Sequence, residues 1–130
     1  MTLPVLDLKY LQERDIKHSV TNEGNMTCLV LSEYCLPPGL NVPRSDLLLR
    51  LSPGYPDVPP DMWWFSPTVM RADGRQIEAT QVMEHYLGRR WQRWSRHFNQ
   101  GQWRPSIDCL ESFLALIRRE IERSVSGKAA

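Results

Sequence analysis

The sequence predicts an α+β fold: an antiparallel meander of about four strands, with a helix before it and helical structure after it. Three observations carry this. A proline-rich corner at 52–61 separates two short apolar runs. Turn-forming residues break the first half at 22–25, 37–45 and 52–60. The last patterned segment carries apolar residues at helical spacing.

In chain order, residues 5–17 read as a first helix, with Asp7 as N-cap and Leu8, Leu11 and Ile16 on one face. His18 to Thr21 and Met26 to Leu31 form two strands around the Asn22-Glu23-Gly24-Asn25 turn. Leu47 to Leu51 is a mostly buried strand. Pro53, Pro56, Pro59 and Pro60 then fix φ and remove backbone donors, so neither a helix nor a central strand can pass through. Met62-Trp63-Trp64-Phe65 resumes as an aromatic strand. Its two tryptophans face opposite sides, one toward the core and the other toward a partner or a covering segment. In 79–98, Val82, Met83, Tyr86, Leu87, Trp91, Trp94 and Phe98 recur as on a helix face, while Gly88 leaves a short helix followed by irregular chain as an equal alternative. The final helix is capped by Ser106, with Asp108 in its first turn and an apolar stripe of Ile107, Leu110, Leu114, Ile117 and Ile121. One domain spans 1–123, and 124–130 is expected to be a tail.

Composition bounds the function. A 130-residue chain with 42% hydrophobic and 24% charged residues is ordinary globular material. A net charge of +1 gives no global attraction to nucleic acid or to a membrane. No apolar run reaches the roughly 20 residues a spanning helix needs, and no signal-peptide pattern opens the chain. A cytoplasmic location is expected, with Cys28, Cys35 and Cys109 as reduced thiols. No cofactor and no metal is expected.

The order of elements, with Tyr55-Pro56-Asp57-Val58-Pro59-Pro60 at the corner and Trp103-Arg104-Pro105 before the last helix, resembles the ubiquitin-conjugating (UBC) fold. Further residues resemble a bacterial branch of that superfamily, prokaryotic family E. They are Pro-Pro-Gly at 37–39, Gly-Tyr-Pro at 54–56, Pro-Pro-Asp at 59–61, Ala-Asp-Gly-Arg at 72–75, and Gly-Arg-x-Trp-x-Arg-x-Ser-Arg-His at 88–97. The resemblance makes Tyr55, Pro56, Pro59 and Pro60 the fold motif. It implies a ubiquitin-like protein and an activating-enzyme homologue as partners.

A conjugating enzyme needs a thiolate to carry the ubiquitin-like chain end, and a polar group for the oxyanion. The family layout puts that thiol about eight residues before the Trp of Trp-x-Pro, and His-Pro-Asn after the corner strand. Here the first position is Ser95 and the second reads Ser66-Pro67-Thr68-Val69. Two classes of reading follow. In one, the chain is a silent adaptor that binds through its surface, with Trp91, Trp94, Arg96 and Trp103 as candidate contacts. In the other, the nucleophile is displaced to Cys109, at a helix N-terminus that lowers a thiol pKa, or to Ser95 with His97. Cys28 reads as an inert buried thiol. Cys35 precedes the corner, in the wrong part of the fold for this chemistry. Ser95 and His97 also fit as backbone ties in a loop. A nucleic-acid reading rests on the alternating arginines and tryptophans of 89–97. A zinc reading of His85, His97 and Cys109 lacks ligand-like spacing.

Overall fold

The computed structural model describes residues 3–96, 102–105 and 107–126. Helix α1 (Val5–Glu13) follows Pro4, whose fixed φ suits the turn into a helix. Asp7 is not the cap: it lies one turn inside and is 2% exposed. The helix stops at Glu13, short of residue 17, because Asp15 turns left-handed (φ 53°). The amide of Ile16 then donates to the Leu11 carbonyl at 2.9 Å and that of Asp15 to Gln12 at 3.1 Å, the two bonds of a Schellman stop. Ile16 therefore reaches the core from the loop rather than from the helix face.

Strands β1 (His18–Glu23), β2 (Met26–Cys35), β3 (Arg44–Leu51) and β4 (Trp63–Ser66) form the expected antiparallel meander. β2 runs four residues past Leu31, through an irregularity where Glu33 has φ 54° and its amide donates to Asp46 at 2.8 Å. Two further strands correct the expectation for 79–98. β5 (Met83–Tyr86) and β6 (Arg89–Trp94) form a hairpin, and β6 pairs with β4. Among the described residues, the sheet has six strands in the order β1-β2-β3-β4-β6-β5. Leu87 and Gly88 both have positive φ, 54° and 75°, as a two-residue hairpin turn requires. The three-residue spacing of Trp91 and Trp94 marks one face in a helix but opposite faces in a strand.

Both faces of the sheet are covered. On one, Leu29, Leu47, Leu49, Trp63, Phe65 and Trp94 meet the helices in the main core. On the other, Cys28, Val30, Leu48, Trp64 and Trp91 are roofed by Met62, Tyr86 and Leu87. Strand parity splits Trp63 and Trp64 as expected, and the covering segment for Trp64 is the β5–β6 tip. Arg50 lies 3.9 Å over the Tyr86 ring, and Glu23 accepts from the Leu87 amide at 2.9 Å, which pins the tip across the sheet.

Helix α2 (Leu110–Val125) buries Leu110, Phe113, Leu114, Ile117 and Ile121. Each such side chain contributes roughly 1.5–3 kcal/mol by burial. Ile107 does not belong to the stripe: it precedes the helix and is 62% exposed. Cys109 is the N-cap, and Asp108 lies before the helix, where its carboxylate accepts from the Arg104 amide at 2.6 Å. The expected cap, Ser106, lies outside the described residues. α2 also extends past residue 123, the expected end of the domain. Among the described residues, no helix is long and apolar enough to cross a membrane.

Candidate functional site

The corner and the Trp-x-Pro segment are stitched together. The Trp103 indole donates to the Pro56 carbonyl at 2.9 Å, and its ring lies 6.4 Å from that of Tyr55. In the same corner, Pro60 is buried and Pro59 half-buried. Tyr55 donates its hydroxyl to Asp7 at 2.6 Å, and the other Asp7 oxygen accepts from the Leu110 amide at 3.2 Å. A buried side chain of α1 thus supplies an acceptor at the N-terminus of α2. Burial, then the Asp7 hydrogen bond and charge, hold the Tyr55 phenol far above its ordinary range, so it stays a donor.

Ser95 follows β6 directly. Its amide donates to the Ala79 carbonyl at 3.0 Å, and the Arg96 carbonyl accepts from Met62 at 3.1 Å, so the segment is held from both sides. Ser95 and Arg96 line a cleft of about 400 Å³ between the 71–79 loop and the C-terminal half of α2. The Ser95 hydroxyl accepts from Arg93 Nε at 3.0 Å. A guanidinium has no basic lone pair, so Arg93 cannot take the hydroxyl proton. Arg96 pairs with Glu120 at 3.2 Å and donates to the Glu78 carbonyl at 3.0 Å, which bolts the loop to the helix. His97 lies outside the described residues.

Among the described residues, Ser95 and the cysteines read from sequence as candidate nucleophiles do not converge. Cys109 caps α2 at its far end, about 16 Å along the axis from the level of Glu120 at 1.5 Å per residue. Its amide donates to the Ser112 hydroxyl at 3.2 Å, and its thiol is half-buried. Cys28 is fully buried, and burial pushes its thiol up against the pull of Arg50. Cys35 is exposed at the end of β2, where its carbonyl accepts from Arg118 at 2.6 Å.

Trp91 and Trp94 are both 0% exposed, one in each core, so neither ring is available to a partner in this chain. Trp103 is 8% exposed, which leaves Arg96, half-buried, as the expected contact nearest the surface. The same burial removes the two stacking platforms from the nucleic-acid reading, and Arg89 and Arg93 beside them are tied elsewhere. Arg89 pairs with Asp46 at 3.1 Å and lies 4.4 Å over Trp91, and Arg93 pairs with Glu84 at 3.1 Å. Among the described residues, no three His, Cys, Asp or Glu side chains group as metal ligands.

Sequence reasoning missed the residues that build the cleft. Gln92, 1% exposed, ties the segments that flank the 71–79 loop, Val69 and Thr80, to β6. It accepts from the Val69 amide (2.8 Å) and the Trp94 indole (3.2 Å), and donates to the Val69 and Thr80 carbonyls (3.0 and 3.1 Å). Nothing in the local pattern marks it, because a glutamine between arginines reads as surface. Asp73 clamps the loop. Two Arg71 nitrogens donate to it at 3.0 and 2.6 Å, and the Arg75 amide at 3.0 Å. Arg71 also donates to the Ser124 carbonyl at 2.7 Å, where a cation suits the C-terminus of α2. The Arg71 guanidinium, foremost, holds the Asp73 carboxyl down at about 2.

The stability that Asp73 contributes is therefore complete above its unfolded pKa, near 4, and is lost as pH falls through about 2. The difference in unfolding free energy between wild type and Asp73→Asn should shrink steadily between those limits. Chemical denaturation at stepped pH measures it, and a pH-independent difference contradicts the assignment.

The model of the family described as prokaryotic E2 family E matches residues 3–124. No curated protein and no solved structure gives a match.

Proposed function

The chain belongs to prokaryotic E2 family E, and from that premise we propose that it serves a ubiquitin-like conjugation system as a non-covalent binding component. It holds the ubiquitin-like protein, the activating-enzyme homologue, or both. The observation that carries this reading is the environment of Ser95. The position where the family layout expects a thiol offers a hydroxyl whose hydrogen-bond donor is a guanidinium, and the chain's three cysteines lie on other elements.

A protein-binding surface supports the same reading. Val5 and Leu6 are 79% and 75% exposed, Val58 is 49% and Ile107 62%. They come from the three segments that meet at Asp7: the start of α1, the corner, and the chain just before α2. Exposed aliphatics on these three segments suit a protein partner.

The second reading, a displaced nucleophile, is favoured by one observation. Cys109, half-buried, stands at the positive end of α2. The test is incubation with the ubiquitin-like protein, the activating enzyme and ATP, followed by gels with and without reductant and with hydroxide. The expected result is measurable binding and no adduct. A reductant-labile adduct lost in Cys109→Ala establishes a thioester instead. A base-labile, reductant-stable adduct lost in Ser95→Ala establishes an ester.

A further inference from the structure

We propose that the outer edge of β1 joins the same edge of a second copy of this chain, so that the two sheets run on as one through an antiparallel pairing centred on Val20. The inference is independent of the functional reading above. Among the described residues, β1 closes one end of the sheet, and it spans six residues. Its register with β2 runs unbroken from His18 to Glu23, and Ser19 to Asn22 are exposed. Edge strands are ordinarily blunted by proline, lysine, a bulge or shortness. None of these devices lies within His18–Glu23. β5, at the other end, is a strand of only four residues.

The ladder fixes which backbone groups point outward. In an antiparallel pair, residues that exchange hydrogen bonds with the partner strand alternate with residues that turn their N–H and C=O away from it. The Ser32 amide donates to the Lys17 carbonyl at 2.9 Å, which puts residue 17 in the bonded set, with 19, 21 and 23 after it. His18 and Val20 then direct both backbone groups away from β2. The Val20 side chain lies opposite Leu29 on the face of the main core and is 37% exposed.

The sequence of this edge is complementary to itself. A two-fold axis sets residue i opposite residue j of the second copy, and j opposite i. With Val20 on the axis, the two valines exchange N–H···O bonds and pack side chain against side chain. Ser19 then faces Thr21 of the second copy, a hydroxyl pair of the kind that stabilises sheets. Lys17 faces Glu23 of the second copy, an opposite-charge pair that the symmetry supplies twice. Glu23 already accepts from Arg50 and the Leu87 amide, but a carboxylate offers about four acceptor sites, so a lysine can still be received. Moving the axis to Ser19 or to Thr21 sets Lys17 opposite Thr21 or Asn25 and loses the charge pair. One strand pair makes a small interface, so the association is weak and depends on concentration.

Two measurements on the full chain test this. Sedimentation velocity between about 5 µM and about 500 µM should pass from monomer toward dimer. Amide hydrogen exchange at the two ends of that range should slow about threefold or more at Val20 at the higher concentration, and change little at Ser19 and Thr21, which bond to β2 in either state. Val20→Pro removes the outward donor and puts the ring in its place without costing a bond to β2. That variant should stay monomeric throughout and melt close to wild type. Lys17→Glu, at an exposed position, sets like charges opposite each other and should weaken the dimer about fivefold or more. If Val20→Pro fails to fold, Lys17→Glu carries the test. A wild type that is monomeric throughout, a dimer that forms equally in either folded variant, or concentration-dependent protection outside β1 overturns the proposal. A monomer whose Val20 amide is already slow overturns it too, and assigns the edge to a segment of the same chain.

Discussion

Asp7→Ala should lower the unfolding free energy by about 3 kcal/mol, far more than a first-turn acid on an exposed helix face contributes. The reason lies in what Asp7 holds. It is 2% exposed, and its two oxygens accept from the Tyr55 hydroxyl and the Leu110 amide. Alanine leaves two buried donors unpaired at once, each costing about 1–3 kcal/mol, and takes the acceptor from the end of α2. Asp7→Asn keeps one oxygen and the shape, and should cost roughly half as much. Tyr55→Phe removes the donor and leaves the Leu110 bond intact, for about 1–2 kcal/mol. Urea denaturation of the two single variants and the double variant closes a cycle. A coupling energy near zero would show that the Asp7–Tyr55 bond does not act as a unit. Because Cys109 precedes Leu110, Asp7→Ala should also raise amide exchange at the start of α2.

Gln92→Leu should cost about 3 kcal/mol as well, although leucine matches its volume and suits a core. The substitution leaves the Val69 amide, the Trp94 indole and the Val69 and Thr80 carbonyls without their buried partner. Its effect should reach the site, because the bonded segments lead directly into the loop that carries Arg71, Arg75 and Ala79. Amide exchange at Val69 should rise more than at Leu48, in the other core. Protection at Val69 equal to wild type would mean that a different contact holds these segments. Gln92→Glu restores the acceptors, loses both donations and buries a charge, so it should rescue little.

The meander was legible because each signal was local. Asn22-Glu23-Gly24-Asn25 specifies its turn, and the Leu47 run and Met62-Trp63-Trp64-Phe65 alternate or bury as strands do. The β5–β6 hairpin was not legible. Tyr86, Trp91 and Trp94 satisfy a helical period, and what selects the strand is pairing with β4, a partner some 30 residues away. The first-turn acid at position 7 suits a cap from sequence. Only the corner folding over α1 shows that it faces inward, toward Tyr55. Trp91 and Trp94 read as stacking or partner surfaces from their arginine neighbours. The strand carries them into two different cores.

The cleft shows the same division. Ser95 was found by counting back from Trp103, a relation along the chain. Arg71, Arg75, Glu120 and Arg123 were not found, since they come from a loop and a helix about 50 residues apart. By itself the sequence determined the α+β class, the proline corner, the family resemblance, and a serine where a thiol is usual, because each depends on residue type and on short spacing. The tertiary structure decided that Arg89–Trp94 is a strand paired on both sides rather than part of a helix. It also separated Cys109 from Ser95 by most of a helix, and set two exposed arginines beside that serine. Packing and charge at these places depend on which distant segments meet, and no local period records that.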